Sequence, residues 1–258
     1  MNNHQLKQKL QNGETTVGSW ITLGHPGIAE IFSQVGFDWL VVDLEHSVIS
    51  IEMAADLIRV IDLCGSVPLV RLTSNDPNQI KRIMDAGAHG IVVPMVNSVE
   101  EAKKAVAATR YAPKGQRGVG LARAQCYGPG FEDYLHWQED GPIVIVQIEH
   151  KDAVNNLDDI LVVPGVDGFI IGPYDLSCSM GIPGQFERTE FIDTMKKILD
   201  SGLRAVCPAG IHLVEPDPEK LRRLLGEGYQ FIAYSVDIRM LEVSARMGIQ
   251  VREVKTNK

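Results

Sequence analysis

Short apolar runs rich in β-branched residues alternate with longer amphipathic segments along the chain. The runs occupy residues 17–24, 37–45, 67–72, 90–94, 143–149, 168–173, 204–210 and 231–236. They are hydrophobic almost without interruption, which predicts strands covered on both faces, as in a parallel sheet. Helical spacing fills the gaps, at 26–35, 51–63, 77–87, 98–109, 152–161, 187–200, 217–226 and 237–247. Local signals agree with this division. Asp76-Pro77 is a capping residue followed by a proline suited to the first turn. Ser98 and Glu101 have the spacing of a capping box. Eight β units alternating with eight α units predict a (β/α)8 TIM barrel rather than an open doubly wound sheet. An open sheet would want a glycine fingerprint for phosphate after its first strand, and GHPG at 24–27 is not one.

Two segments break the repeat. Residues 1–15 read as a helix ahead of the first strand. Residues 111–141 form a long insertion before the fifth strand, carrying Tyr127, Phe131, Tyr134 and Trp137. An insertion of that length is expected to cover a site, to make an interface between subunits, or to fold back on its own barrel. The eight units use nearly all 258 residues, so one domain spanning 1–258 is expected.

Composition narrows the class. With 45% hydrophobic and 22% charged residues the chain is an ordinary globular one. A net charge of −8 disfavours nucleic acid and anionic membranes as partners. No apolar run approaches the roughly 20 residues that span a bilayer. The start, MNNHQLKQKLQNGE, lacks the apolar core of a secretory signal. Cys64, Cys126, Cys178 and Cys207 show no paired spacing and read as free thiols of a cytoplasmic protein.

Barrel chemistry sits where strands end and βα loops begin. The second strand ends in Asp43-Leu44-Glu45-His46, the third in Arg71, the fifth in Gln147-Ile148-Glu149-His150, and the sixth runs into Gly172-Pro173-Tyr174-Asp175. Glu149 and Asp175 offer two hard oxygen ligands of the kind Mg²⁺ or Mn²⁺ take, with positions left for water and substrate. Alternatively, both carboxylates pair with arginines of the rim. Arg71 calls for a partner, either a substrate oxygen or the carboxylates of Asp43 and Glu45. His46 is a candidate general acid or base, with His150 and His212 as competitors and an uninvolved loop histidine as the plain alternative. No predicted strand contains a lysine, so a Schiff-base mechanism is not expected.

The stretches 18–46, 70–106, 110–124, 145–160 and 166–181 together resemble the HpcH/HpaI family of metal-dependent (class II) pyruvate aldolases. The likeness runs from about residue 6 to about 247. It implies a lyase that reversibly cleaves a 4-hydroxy-2-oxo acid to pyruvate and an aldehyde through a metal-stabilised enolate. Family members act on hydroxy-oxo-heptanedioate, dehydro-deoxy-glucarate and keto-deoxy-rhamnonate, so catabolism of aromatic compounds or sugar acids is implied. Carried over by position, the catalytic residues are His46, Arg71 and Asp85, the last raising the basicity of the histidine. The metal ligands are Glu149 and Asp175, for Mg²⁺, Mn²⁺ or Co²⁺. The substrate-binding positions are Gln147, Gly172 and Tyr174. No pyridoxal phosphate is implied. The resemblance also implies a homohexamer, a trimer of dimers with C-terminal helices packed between subunits. Two segments depart from the family pattern. Tyr174 is bulky where the motif is usually small, and 204–221 differs from the usual shorter strand-7 loop. A CoA-thioester carbon–carbon lyase of the citrate lyase β or malyl-CoA lyase type is the alternative activity, although no obvious basic cluster serves the phosphates of such a substrate. A non-catalytic barrel acting as a scaffold is the other. On this basis Arg71→Ala is expected to abolish turnover with the fold intact.

Overall fold

In a computed structural model, which describes residues 3–253, eight parallel strands close into one barrel in the order β1 to β8. They are β1 Thr16–Ile21, β2 Trp39–Asp43, β3 Val67–Arg71, β4 Gly90–Val93, β5 Ile143–Ile148, β6 Gly168–Ile171, β7 Ala209–Leu213 and β8 Phe231–Val236. Helices alternate with the strands: α1 Asn3–Gln11, α2 Pro26–Val35, α3 Ile51–Leu63, α4 Pro77–Asp85, α5 Val99–Thr109, α6 Phe131–Asp140, α7 Lys151–Asn155, α8 Leu157–Leu161, α9 Pro173–Ser179, α10 Thr189–Ala205, α11 Pro218–Glu227 and α12 Asp237–Glu253. The expected TIM barrel is the observed architecture. The first two residues of the expected 1–15 helix lie outside the described residues, as does 254–258.

Strand alternation sorts side chains into two shells. One set packs between sheet and helices, including Leu40, Val42, Val70, Val144 and Ile148. The alternate positions fill the interior: Trp39, Val41, Leu69, Val92, Ile145 and Phe231. Trp39 stacks on Phe231 at 4.0 Å between ring centroids. Gly18 is required beside them, because a Cβ there would come within 2.1 Å of the Trp39 ring. Leu6 and Leu10 of α1 join the interior cluster and plug its floor. The interior phase then continues upward through Asp43, Arg71, Gln147 and His212, so the polar layer forms at the C-terminal mouth.

Two expectations change. Residues 204–210 are not the seventh strand. α10 runs on to Ala205 and ends at Val206 with φ +52°, and β7 begins at Ala209. The apolar run there belongs partly to the buried face of a helix, which a strand pattern does not distinguish over so short a stretch. The expected helix 152–161 is two short helices meeting at Asn156.

The insertion does not lie over the mouth. It holds a 3₁₀ turn at Arg123–Gln125 and α6. Arg123 pairs with Asp62 at the end of α3, the Trp137 ring lies 6.2 Å from that of His89, and Lys7 donates to Pro142 O at 3.0 Å. All three contacts are at the N-terminal ends of the strands. As a cover it therefore closes the underside of its own barrel, and its exposed Val119, Leu121 and Tyr127 face outward.

Candidate active site

The β2–β3 register pairs Asp43 with Arg71, the last residue of each strand. Arg71 Nε donates to Asp43 Oδ1 at 2.8 Å and Nη2 to Oδ2 at 2.7 Å, a two-pronged contact. Its Nη1 lies 3.2 Å from Glu45 Oε2, and its guanidinium sits 4.4 Å above the Trp20 ring. Asp43 is 1% exposed, so the pair is a buried one. The guanidinium is thus held flat and oriented, with donor capacity left for a substrate oxygen.

Strand β5 delivers the second polar group. Gln147 points inward and donates from Nε2 to Glu149 Oε2. Glu149 Oε1 accepts from Met95 N at 2.7 Å, and Met95 adopts φ +53°. Ile148 pairs with Ile171, which brings Gly172 beside Glu149. A Cβ at Gly172 would approach Glu149 Oε2 to 3.0 Å. Pro173 then opens α9, which carries Tyr174 and Asp175 in its first turn. The Tyr174 ring is exposed and stands edge-on to Phe186 at 5.0 Å.

Negative charge outweighs positive here. Burial pushes the Glu45 carboxyl up to about 7; Arg71 opposes this, while Glu149, Asp43 and Asp175 add to it. Burial likewise raises Glu149, against hydrogen bonds from Gln147 and Met95, and Asp175 raises it further. Four carboxylates face one guanidinium, so a divalent cation fits the charge and the hard oxygen donors of Glu149 and Asp175. Among the described residues no three His, Cys, Asp or Glu side chains converge as a metal site. Two carboxylates leave the remaining positions of a cation to water and substrate.

A hollow of about 200 Å³ opens on this layer, lined by His46, Arg71, Gln147, Gly172, Tyr174 and Asp175 among others. His46 is exposed at its mouth, with Nε2 3.9 Å from Glu45 Oε2. His212 also lines it, whereas His150 caps α7 by accepting from Asp152 N at 3.2 Å. Asp85 is the last residue of α4, about 12 Å down the helix from its start at the rim. The charges acting on it are Arg117 and Lys81; burial raises its pKa and both cations oppose this. The chain itself does not bring Asp85 to His46. Trp20 and the Met95 N–H join the site beyond the residues expected from the sequence. Trp20 was legible as the interior position after Thr16 and Gly18, but a backbone donor carries no side-chain signal.

The profile of the HpcH/HpaI aldolase/citrate lyase family matches residues 16–242. A 4-hydroxy-2-oxo-heptane-1,7-dioate aldolase of Salmonella paratyphi C (strain RKS4594) is 39% identical over 252 residues, 95% of either chain. The crystal structure of an HpcH/HpaI aldolase/citrate lyase family protein from Burkholderia cenocepacia J2315 superposes with a TM-score of 0.90 at 32% identity, covering 96% of this chain and 99% of that one. That of an HpcH/HpaI aldolase from Desulfitobacterium hafniense DCB-2 gives 0.89 at 31% identity, covering 96% of each. The chain belongs to the HpcH/HpaI aldolase/citrate lyase family.

Proposed function

We propose that this chain is a divalent-metal-dependent aldolase that reversibly cleaves a 4-hydroxy-2-oxo acid to pyruvate and an aldehyde. The observation that carries the reading is the meeting, in one hollow at the strand ends, of an oriented guanidinium (Arg71) and Asp175 beside an exposed histidine, with Glu149 against the lining residues Gln147 and Gly172. Glu149 and Asp175 would hold the cation, which supplies Lewis-acid polarisation of the keto group. Gln147 and the Met95 N–H orient the Glu149 carboxylate. Arg71 faces the keto oxygen and stabilises the charge it gains as the C3–C4 bond breaks. His46 accepts the C4 hydroxyl proton, directly or through one water, and returns it in the synthetic direction. Gly172 and the backbone of Tyr174 shape the floor on which the oxo acid lies. Asp85 is proposed as the third catalytic residue from family resemblance, acting on the histidine.

The aldolase side of the family is favoured over a CoA-thioester lyase. Arg71 is the only lysine or arginine among the described residues lining the hollow, which leaves nothing for a nucleotide phosphate. We also propose a single-domain, cytoplasmic homohexamer, supported by family likeness and by the exposed Leu241, Met247 and Ile249 of α12. Light scattering on the purified protein tests the assembly. Pyruvate release from a panel of 4-hydroxy-2-oxo acids, with and without EDTA, tests the activity. Release abolished by chelator and restored by Mg²⁺, Mn²⁺ or Co²⁺ is expected, and chelator-resistant turnover rejects the metal role.

A further inference from the structure

We infer that His212 selects the aldehyde: its Nδ1 accepts a hydrogen bond from a hydroxyl on the acceptor, so the pocket favours short hydroxyaldehydes over unsubstituted or carboxylate-ended ones. The inference rests on the aldolase reading and adds to it the substrate class and the residue that sets it.

His212 lies on β7, in the interior phase of the barrel, and lines the same hollow as Arg71 and Gly172. Its tautomer is fixed by a neighbour. Nε2 lies 3.1 Å from Ser235 O, and a carbonyl oxygen can only accept, so Nε2 carries the proton. Nδ1 is then a bare lone pair. Among the described residues it has no protein partner. Burial holds the imidazole pKa down at about 4, with the hydrogen bond to Ser235 opposing and Arg71 adding to the effect. At neutral pH the ring is therefore an uncharged acceptor rather than a cation.

The ring is also held in place. Its centroid is 5.5 Å from that of Trp20, the same indole that lies under the Arg71 guanidinium. Ser235 adopts φ +56°, and its Oγ donates to Val214 O at 2.8 Å, which ties β8 to the end of β7. The acceptor atom is thus in fixed relation to the group that grips the oxo acid.

The ligand must provide a donor. Pyruvate has none, because its carboxylate and keto oxygens only accept. An aldehyde oxygen likewise accepts, and the C4 hydroxyl it becomes is assigned to His46. What remains is a hydroxyl further along the acceptor. A terminal carboxylate would instead meet Nδ1 lone pair to lone pair, and no lysine or second arginine among the described residues lines the hollow to receive it.

The test uses a matched pair, glycolaldehyde and propanal, which differ by a hydroxyl in place of a methyl. The readout is the ratio of their kcat/KM values with pyruvate and Mn²⁺, which does not depend on how much of a variant is folded. His212→Phe keeps an aromatic ring against Trp20 and removes the acceptor; the glycolaldehyde-to-propanal ratio is expected to fall about tenfold. His212→Asn can donate to Ser235 O and still accept through its amide oxygen, and most of the ratio should return. A ratio unchanged in His212→Phe, or shifted alike in both variants, overturns the inference. So does a higher kcat/KM of the wild type for succinic semialdehyde than for glycolaldehyde. Deuterium incorporation into the pyruvate methyl group by the wild type, with Mn²⁺ and no aldehyde, separates the two levels. If exchange occurs without a ratio shift, only the His212 assignment falls; if no exchange occurs, the aldolase reading falls and takes the assignment with it.

Discussion

Arg71 meets Asp43 through two parallel hydrogen bonds of 2.8 and 2.7 Å, end to end across β2 and β3. This changes what removing the arginine does. Asp43 is 1% exposed, so Arg71→Ala leaves a buried carboxylate unpaired, at a cost of about 3 kcal/mol. The expectation of an intact fold gives way to one of loss on both counts. Turnover should fall by about 10²–10³ and the urea midpoint should drop with it. Asp43→Asn combined with Arg71→Met removes both charges and should recover most of the stability but none of the turnover. A double variant that turned over normally would remove Arg71 from the chemistry.

The carboxylates at the mouth predict a stability that depends on cation and pH together. Glu45 is raised on folding from 4.5 to about 7, by burial first and by Glu149, Asp43 and Asp175 besides. A carboxyl whose folded pKa is raised weakens the fold as pH climbs, starting near 4.5 and in full above about 7. A divalent cation offsets that repulsion. Saturating Mn²⁺ should raise the thermal midpoint by about 5–10 °C at pH 8. The increment should shrink toward pH 5 and largely vanish in Glu149→Gln. Differential scanning calorimetry at the two pH values reads it, and equal increments at both would rule out the carboxylate cluster as the site.

At the opposite end of the barrel Asp62 runs the other way. Burial would raise its carboxyl, but hydrogen bonds from His89 and Arg123 outweigh this and hold it at about 2, below its ordinary 3.8. A depressed carboxyl stabilises the fold above its unfolded pKa, and that contribution disappears as pH falls from about 4 to about 2. With the Asp62 side chain 31% exposed, screening leaves about 1 kcal/mol. Asp62→Asn should therefore be weaker than wild type by about that amount at pH 7 and indistinguishable from it near pH 2. Urea denaturation across this range checks the convergence.

Much of this was legible because barrel architecture converts sequence phase into position. Asp43, Arg71, Gln147 and Glu149 end strands whose alternate residues are apolar, and the closed sheet sends that phase to one rim. What the sequence concealed depends on contacts distant along the chain. The run at 204–210 looked like a strand because a helix end and a strand start share the same apolar residues when only a short loop divides them. His212 consequently read as lying just past a strand end, as a competitor of His46, although it stands within β7. The insertion carried the aromatics of a cover, yet which end it closes is set by contacts distant in sequence, such as the pairing of Arg123 with Asp62 and the Trp137 ring beside His89. Met95 N serves Glu149 through a left-handed backbone, and methionine gives no hint of that conformation.

Gly172 offers the sharpest separation of site from fold. Its φ of −97° suits any residue, so alanine there strains no backbone. The added Cβ would nonetheless stand 3.0 Å from Glu149 Oε2 and 3.1 Å from Glu149 Cβ, tighter than ordinary contact. Glu149 is the side that can yield, because the close atoms belong to its side chain while the Gly172 backbone is tied by its N–H to Ile148 O at 3.2 Å. Gly172→Ala should thus turn the carboxylate away from Asp175. The expected result is a cation affinity reduced about tenfold, the lower end of what outer contacts of a metal site are worth. The thermal midpoint without cation should stay within about 2 °C of wild type, since a shift that small corresponds to under 1 kcal/mol. Mn²⁺ titration by calorimetry measures the affinity directly. Wild-type affinity in Gly172→Ala would mean that Glu149 does not hold the cation in the orientation seen here.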